Sequence, residues 1–90
     1  MERRLLIVED DCLIAEAAAD YFTSKGWLVK TEESGIRALR RLERESFHLI
    51  LLDVMLPFMD GFSLCKKIRQ NSDVPVIFIT ARAMEEDKLN

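Results

Sequence analysis

Short aliphatic runs bounded by polar residues alternate along the chain with stretches in which apolar residues recur every three or four positions. Leu5-Leu6-Ile7-Val8 and residues 48–52 (His48 followed by Leu49-Ile50-Leu51-Leu52) read as strands buried on both faces. Trp27–Thr31 is a weaker strand, suited to an edge, and Val74–Ile79 a fourth, apolar on both faces as a central strand would be. Between the strands lie helical periods. Leu13, Ile14, Ala17, Ala18, Tyr21 and Phe22 form the first stripe, with Asp10 or Asp11 as cap and Gly26 as stop. Ser34 caps a short helix carrying Ile36, Ala38, Leu39 and Leu42, and Asp60 caps a third carrying Phe62, Leu64, Cys65 and Ile68. Residues 84–90 read as the start of a further helix.

Strands alternating with helices predict an α/β domain with a parallel sheet and right-handed crossovers. A common doubly wound order is 2-1-3-4-5, with its ligand crevice at the carboxyl ends of strands one and three. In that order Glu9 and Asp10, which follow the first strand, meet Asp53, which follows the third. The fourth strand needs a neighbour to cover its apolar edge, so the 90 residues are expected to be part of a larger domain, the alternatives being a strand exchanged with another copy or an edge covered by the terminal helix.

Composition narrows the classes of function. The chain is 49% hydrophobic and 32% charged with a net charge of −3. A mildly acidic domain has no general attraction to nucleic acid. No signal-peptide core and no apolar stretch near the ~20 residues of a membrane span is present, so the cytoplasm and no membrane partner are expected. Cys12 and Cys65 lack CxxC spacing and read as reduced, packed thiols. Arg37, Arg40, Arg41 and Arg44 interleave with Glu43 and Glu45, the pattern of a solvated helical face. His48 reads as structural or solvent-facing, and Trp27 as a packing residue.

The carboxylates carry the chemistry. Two of them about 4 Å apart repel by about 4 kcal/mol at an effective dielectric of about 20, and a divalent cation reverses that cost. The set has the oxygen donors that Mg²⁺ prefers and no Cys or His for zinc. With Mg²⁺ in place, one carboxylate can act as nucleophile toward a phosphoryl group. Thr80, at the end of the fourth strand, can donate a hydroxyl hydrogen bond to that group, and Ala81 leaves room beside it. Pro57 stiffens the Val54–Met59 loop, which can offer a backbone carbonyl to the metal, and Asp60-Gly61 gives a sharp start to the third helix.

Three segments, in order and suitably spaced, carry a resemblance: Leu6-Ile7-Val8-Glu9-Asp10-Asp11, Asp53-Val54-Met55-Leu56-Pro57-Phe58-Met59-Asp60-Gly61, and Val74-Pro75-Val76-Ile77-Phe78-Ile79-Thr80-Ala81-Arg82. Together they resemble the receiver domain of two-component response regulators, and the stretch around Thr80 is most similar to the OmpR/PhoB-like class with a winged-helix output domain. The resemblance implies a flavodoxin-like sheet ordered 2-1-3-4, with residues 1–90 as the N-terminal part of one receiver domain and the fifth strand, last helix and effector domain not included. It implies that Asp53 accepts a phosphoryl group from a sensor histidine kinase. Mg²⁺ would be held by Asp10, Asp53 and the backbone carbonyl of Met55, with Glu9 acting directly or through water. Thr80 would be the switch hydroxyl. It further implies self-catalysed phosphotransfer and dephosphorylation rather than conventional enzymology, a DNA-binding effector domain in the parent protein, and a possible homodimer. Receivers also carry a lysine after a fifth strand; Lys88 lies in the terminal helix-like segment and does not replace it. Metal binding is therefore expected to persist in this 90-residue form, with phosphotransfer and output impaired.

Other functions fit less well. An aspartyl-nucleophile hydrolase needs an acid–base carboxylate two residues beyond Asp53, where Met55 stands. A flavin module needs a phosphate cradle where Glu9-Asp10-Asp11 would repel it. A phosphorylation-independent interaction module remains the alternative for a form without that lysine. Glu9, Asp10 and Asp11 could also serve only as helix caps, and Asp11 suits that role, but capping accounts for neither Asp53 nor Thr80.

Overall fold

The computed structural model describes residues 2–79. Its elements run β1 (Arg3–Val8), α1 (Cys12–Ser24), β2 (Trp27–Glu32), α2 (Gly35–Leu42), β3 (Leu49–Asp53), α3 (Gly61–Arg69) and β4 (Val76–Ile79). The four strands form one sheet in the order β2-β1-β3-β4, every pairing parallel. This is the predicted doubly wound arrangement. The proposed helix at 84–90, together with Thr80, Ala81, Arg82 and Lys88, lies outside the described residues.

The core forms on both faces of β1 and β3 because their side chains alternate across the sheet. Leu6, Val8, Ile50 and Leu52 point to one face, where Ala38, Leu64 and Ile68 cover them. Leu5, Ile7 and Leu51 point to the other, covered by Ala18, Ala19 and Phe22 of α1 with Trp27 and Val29 of β2. Leu5 to Val8 have no exposed surface at all, which explains their unbroken apolar run. β2 alternates between half-buried and exposed positions, as an edge strand does. In β4, Val76 and Ile79 are half-buried, while Ile77 and Phe78 are exposed in the described structure.

The caps form where expected. Asp11 accepts the N–H groups of Leu13 and Ile14, Ser34 that of Arg37, and Asp60 that of Ser63. Each cap saturates otherwise orphaned donors of a first turn. At the other end of α1, Gly26 takes φ +94°, the left-handed stop that glycine suits.

The stripe of α1, however, sits one residue from its predicted position, whereas α2 and α3 pack through the predicted Ala38, Leu39, Leu42, Leu64, Cys65 and Ile68 and depart only at their second residue. Leu13, Ile36 and Phe62, each the second residue of its helix, are exposed, and so is Tyr21. The inward positions of α1 are instead Ala15, Ala18, Ala19 and Phe22. Cys12 is exposed rather than packed, because it opens α1 beside Leu13; Cys65 packs partly against the core. Arg41 also departs from the solvated face. It pairs with Glu32 at 2.5 Å and Glu45 at 2.8 Å, and Glu45 pairs with Arg4 at 2.6 Å, joining β2, α2 and β1. The Glu32 hydrogen bond, its largest favourable influence, raises the Arg41 pKa. His48 is exposed, and its Nδ1 accepts the Arg4 backbone N–H at 3.0 Å.

Phe58 has φ +67° and a fully exposed ring. Left-handed backbone costs a residue with a Cβ roughly 1–2 kcal/mol, while glycine sacrifices roughly 0.5–1 kcal/mol of chain entropy. Phe58→Gly is therefore expected to stabilise the fold by about 0.5–1 kcal/mol. The urea midpoint measures this, and a lowered midpoint would contradict it.

Candidate functional site

Pairing of β1 with β3 places Val8 beside Leu52, so the residues that follow, Glu9 and Asp53, leave the sheet side by side. Nothing local in sequence joins them; the parallel register does. Carboxylate oxygens of Glu9, Asp10 and Asp53 all lie within 4.8 Å of one another. Glu9 and Asp53 are buried, at 3% and 4% exposure, whereas Asp10 is open to solvent. The cluster thus has an interior wall of two acids and one acid at its mouth.

Backbone groups fix both buried acids. Glu9 Oε1 accepts the Asp11 N–H at 3.1 Å, and the Glu9 N–H donates to the Glu32 carbonyl at 3.0 Å. Asp53 Oδ1 accepts the Met55 N–H at 3.0 Å, so the chain after β3 turns back over the carboxylate that ends it. The structure thus brings Met55 to Asp53 through its amide; the role foreseen for its carbonyl is a separate matter. Glu9 Oε2 is buried with no hydrogen-bond partner among the described residues.

The electrostatics follow from this geometry. Burial raises the Glu9 pKa from its ordinary 4.5 to about 7, a hydrogen bond with Asp53 adds to the rise, the Asp11 N–H opposes it, and the charges of Asp53 and Asp10 contribute further. A protonated Glu9 avoids a buried charge; an ionised Glu9 leaves that charge on a carboxylate whose Oε2 is unsatisfied among the described residues. A cation resolves that conflict without a proton. The orphaned oxygen and the all-oxygen donor set fit a hard divalent ion such as Mg²⁺, with Glu9, Asp10 and Asp53 as the residues that could hold it.

Gly61 contributes in a way the sequence pattern did not show. It is buried against the backbone of Asp53 and Val54, and its N–H donates to the Val54 carbonyl at 3.1 Å. The clue in the sequence was a glycine directly after a capping aspartate, where any small helix former would serve α3 alone. A cavity of about 610 Å³ lies elsewhere, between the ends of α2 and α3. Leu39, Leu42, Phe47, Ile68 and Val74 line it, at the amino ends of β3 and β4, and it shares no residue with the acidic cluster.

Known proteins share this arrangement. The chain is 40% identical over 86 residues to the transcriptional regulatory protein CpxR homolog of Haemophilus influenzae, covering 96% of this chain and 37% of that protein. It spans about two fifths of the length of the curated relatives it matches. The crystal structure of the receiver domain of sensor histidine kinase PA1611 from Pseudomonas aeruginosa superposes with a TM-score of 0.83 at 33% identity, covering all of this chain and 76% of that one. That structure has a magnesium ion coordinated in its active site cleft. DrrB of Thermotoga maritima, an OmpR/PhoB homolog, superposes with a TM-score of 0.78 at 32% identity, covering 89% of this chain and 36% of DrrB. The model of the response regulator receiver domain matches residues 5–90. With its parallel sheet and the acidic cluster at its switch point, the chain belongs to the response regulator receiver domain family.

Proposed function

We propose that this domain is a phosphoacceptor switch of a two-component system in which Asp53 is the residue phosphorylated. The observation that carries the reading is the convergence of Glu9, Asp10 and Asp53 on adjacent strand ends, with a buried Glu9 oxygen that has no hydrogen-bond partner among the described residues. The Met55 N–H holds one Asp53 oxygen and orients the carboxylate, leaving the second oxygen to attack phosphorus. The P–N bond of a kinase phosphohistidine breaks as the P–O bond to Asp53 forms, and the electron pair leaves with the imidazole. Glu9, Asp10, Asp53 and the Met55 carbonyl would hold Mg²⁺, with Glu9 binding directly or through water. When bound, the ion neutralises charge on the transferring oxygens.

The new charge, roughly −1.5 to −2 as for other phosphoresidues, would draw the Thr80 hydroxyl toward it and shift a pre-existing equilibrium. A sensor histidine kinase is the donor in this reading, acting in the cytoplasm. A DNA-binding effector domain of the OmpR/PhoB type receives the signal, which the regulator names of the relatives support. Incubation of the intact receiver domain with acetyl phosphate and Mg²⁺, followed by peptide mapping of the hydroxylamine-labile acyl phosphate, tests the assignment. Label at Asp53 supports it, and label confined to other residues rejects it.

A further inference from the structure

We propose that Gly61 is a positioning residue for Asp53, and that its missing side chain sets where the acceptor carboxylate sits relative to Glu9 and Asp10. The inference rests on the assignment of Asp53 to the metal and acceptor site. A Cβ at position 61 would meet three backbone atoms of a single peptide, the one joining Asp53 to Val54. The Asp53 carbonyl oxygen would lie inside van der Waals contact, the Val54 Cα at 2.8 Å and the Asp53 carbonyl carbon at 3.1 Å. None of these atoms can rotate aside as a side chain can.

Conformational freedom is not the reason for glycine here, since Gly61 is not among the positive-φ residues. Close approach is the reason. The first turn of α3 cannot easily retreat to make room. Asp60 Oδ1 accepts the Ser63 N–H at 2.9 Å, its Oδ2 accepts the Ser63 hydroxyl at 3.0 Å, and Leu64 is fully buried. A side chain at 61 would therefore push on the 53–54 peptide. That peptide leads to the Met55 N–H, which holds Asp53 Oδ1 at 3.0 Å. A shift there moves both the acceptor and the donor that aims it, while β3 itself stays anchored between β1 and β4.

Gly35 supplies an internal control. It too is buried and opens its helix, but a Cβ there would meet only side chains: Met59 Sδ at 3.3 Å and the Leu64 methyls at 3.5 Å. The Met59 thioether can give by the few tenths of an ångström required.

The test compares Gly61→Ala, Gly35→Ala and Asp53→Asn in the 90-residue chain. Mn²⁺ affinity is read from the free-ion paramagnetic resonance signal and folding from far-UV circular dichroism and urea unfolding. Gly61→Ala is expected to keep the folded spectrum and weaken Mn²⁺ binding by about tenfold or more, as loss of outer support for metal ligands does. Gly35→Ala is expected to change affinity by less than about twofold, in line with a merely packed position. Unchanged Mn²⁺ affinity in Gly61→Ala, alongside a weakened Asp53→Asn, overturns the positioning role alone. Unchanged affinity in Asp53→Asn overturns the reading of the site itself. If Gly61→Ala does not fold, the same measurement is made in a Phe58→Gly background. Failure to fold there as well assigns Gly61 to folding and overturns the proposal.

Discussion

Asp53→Asn is expected to abolish labelling by acetyl phosphate while leaving the fold intact. An amide nitrogen or oxygen is a poor nucleophile, and among the described residues no neighbouring carboxylate offers the same geometry. Asp10 is exposed, and Glu9 is tied through Oε1 to the Asp11 amide. Asparagine has nearly the volume of aspartate, and its carbonyl can still accept the Met55 N–H, so packing at the end of β3 survives. The substitution also removes one of three mutually repelling charges, so the metal-free protein should unfold at a urea concentration no lower than the parent. Both quantities are measured in one preparation, by phosphorus-32 incorporation with Mg²⁺ and by urea melts in chelator. Stoichiometric labelling that survives Asp53→Asn would show the acceptor to be another residue.

The second large effect is a dependence of stability on pH. Glu9 in the folded metal-free protein holds its proton up to about pH 7, whereas its ordinary value is 4.5. Between those limits the folded state binds more protons than the unfolded state, so stability falls as pH rises. Below 4.5 both states are protonated and the penalty is absent; above about 7 it is complete. At roughly 1.4 kcal/mol per pH unit, the rise corresponds to about 3 kcal/mol. Glu9→Gln, which imitates the neutral form, should therefore exceed the parent in chelator by under about 1 kcal/mol near pH 5 and by about 3 kcal/mol at pH 8. Saturating Mg²⁺ should erase most of that advantage, because an ion bound only by the native state stabilises it. A stability difference between the two proteins that stays constant from pH 5 to 8 would refute the burial argument.

The two central strands and the acids at their carboxyl ends were readable from residue pattern for a definite reason, whereas the order 2-1-3-4 was supplied by the common doubly wound arrangement and the resemblance. β1 and β3 are central strands and expose almost nothing, so their apolar runs are uninterrupted and end abruptly at acids. Asp11, Ser34 and Asp60 were legible as caps because capping is local chemistry. The inward face of α1 was misplaced by one residue for an equally physical reason, while α2 and α3 departed only at Ile36 and Phe62. α1 approaches the sheet through Ala15, Ala18 and Ala19, and small residues carry little weight in an apolar stripe although close packing needs them. Leu13, Ile36 and Phe62 drew the expected stripe toward the second helical position, which the caps turn away from the sheet. Phe58 and Gly61 could not be read because each answers to a backbone conformation or contact rather than to polarity.

Glu9 and Asp53 come from strands that touch only after a whole α-helix, an edge strand and a second helix have been threaded between them. No short peptide cut from this chain can reproduce their meeting. Divalent-ion capture at this cluster would therefore be a property of the assembled tertiary structure, and an ion titration would double as a count of correctly folded molecules. Limited proteolysis in α1 or α2 should extinguish that signal in a single step, even though neither helix contributes a ligand.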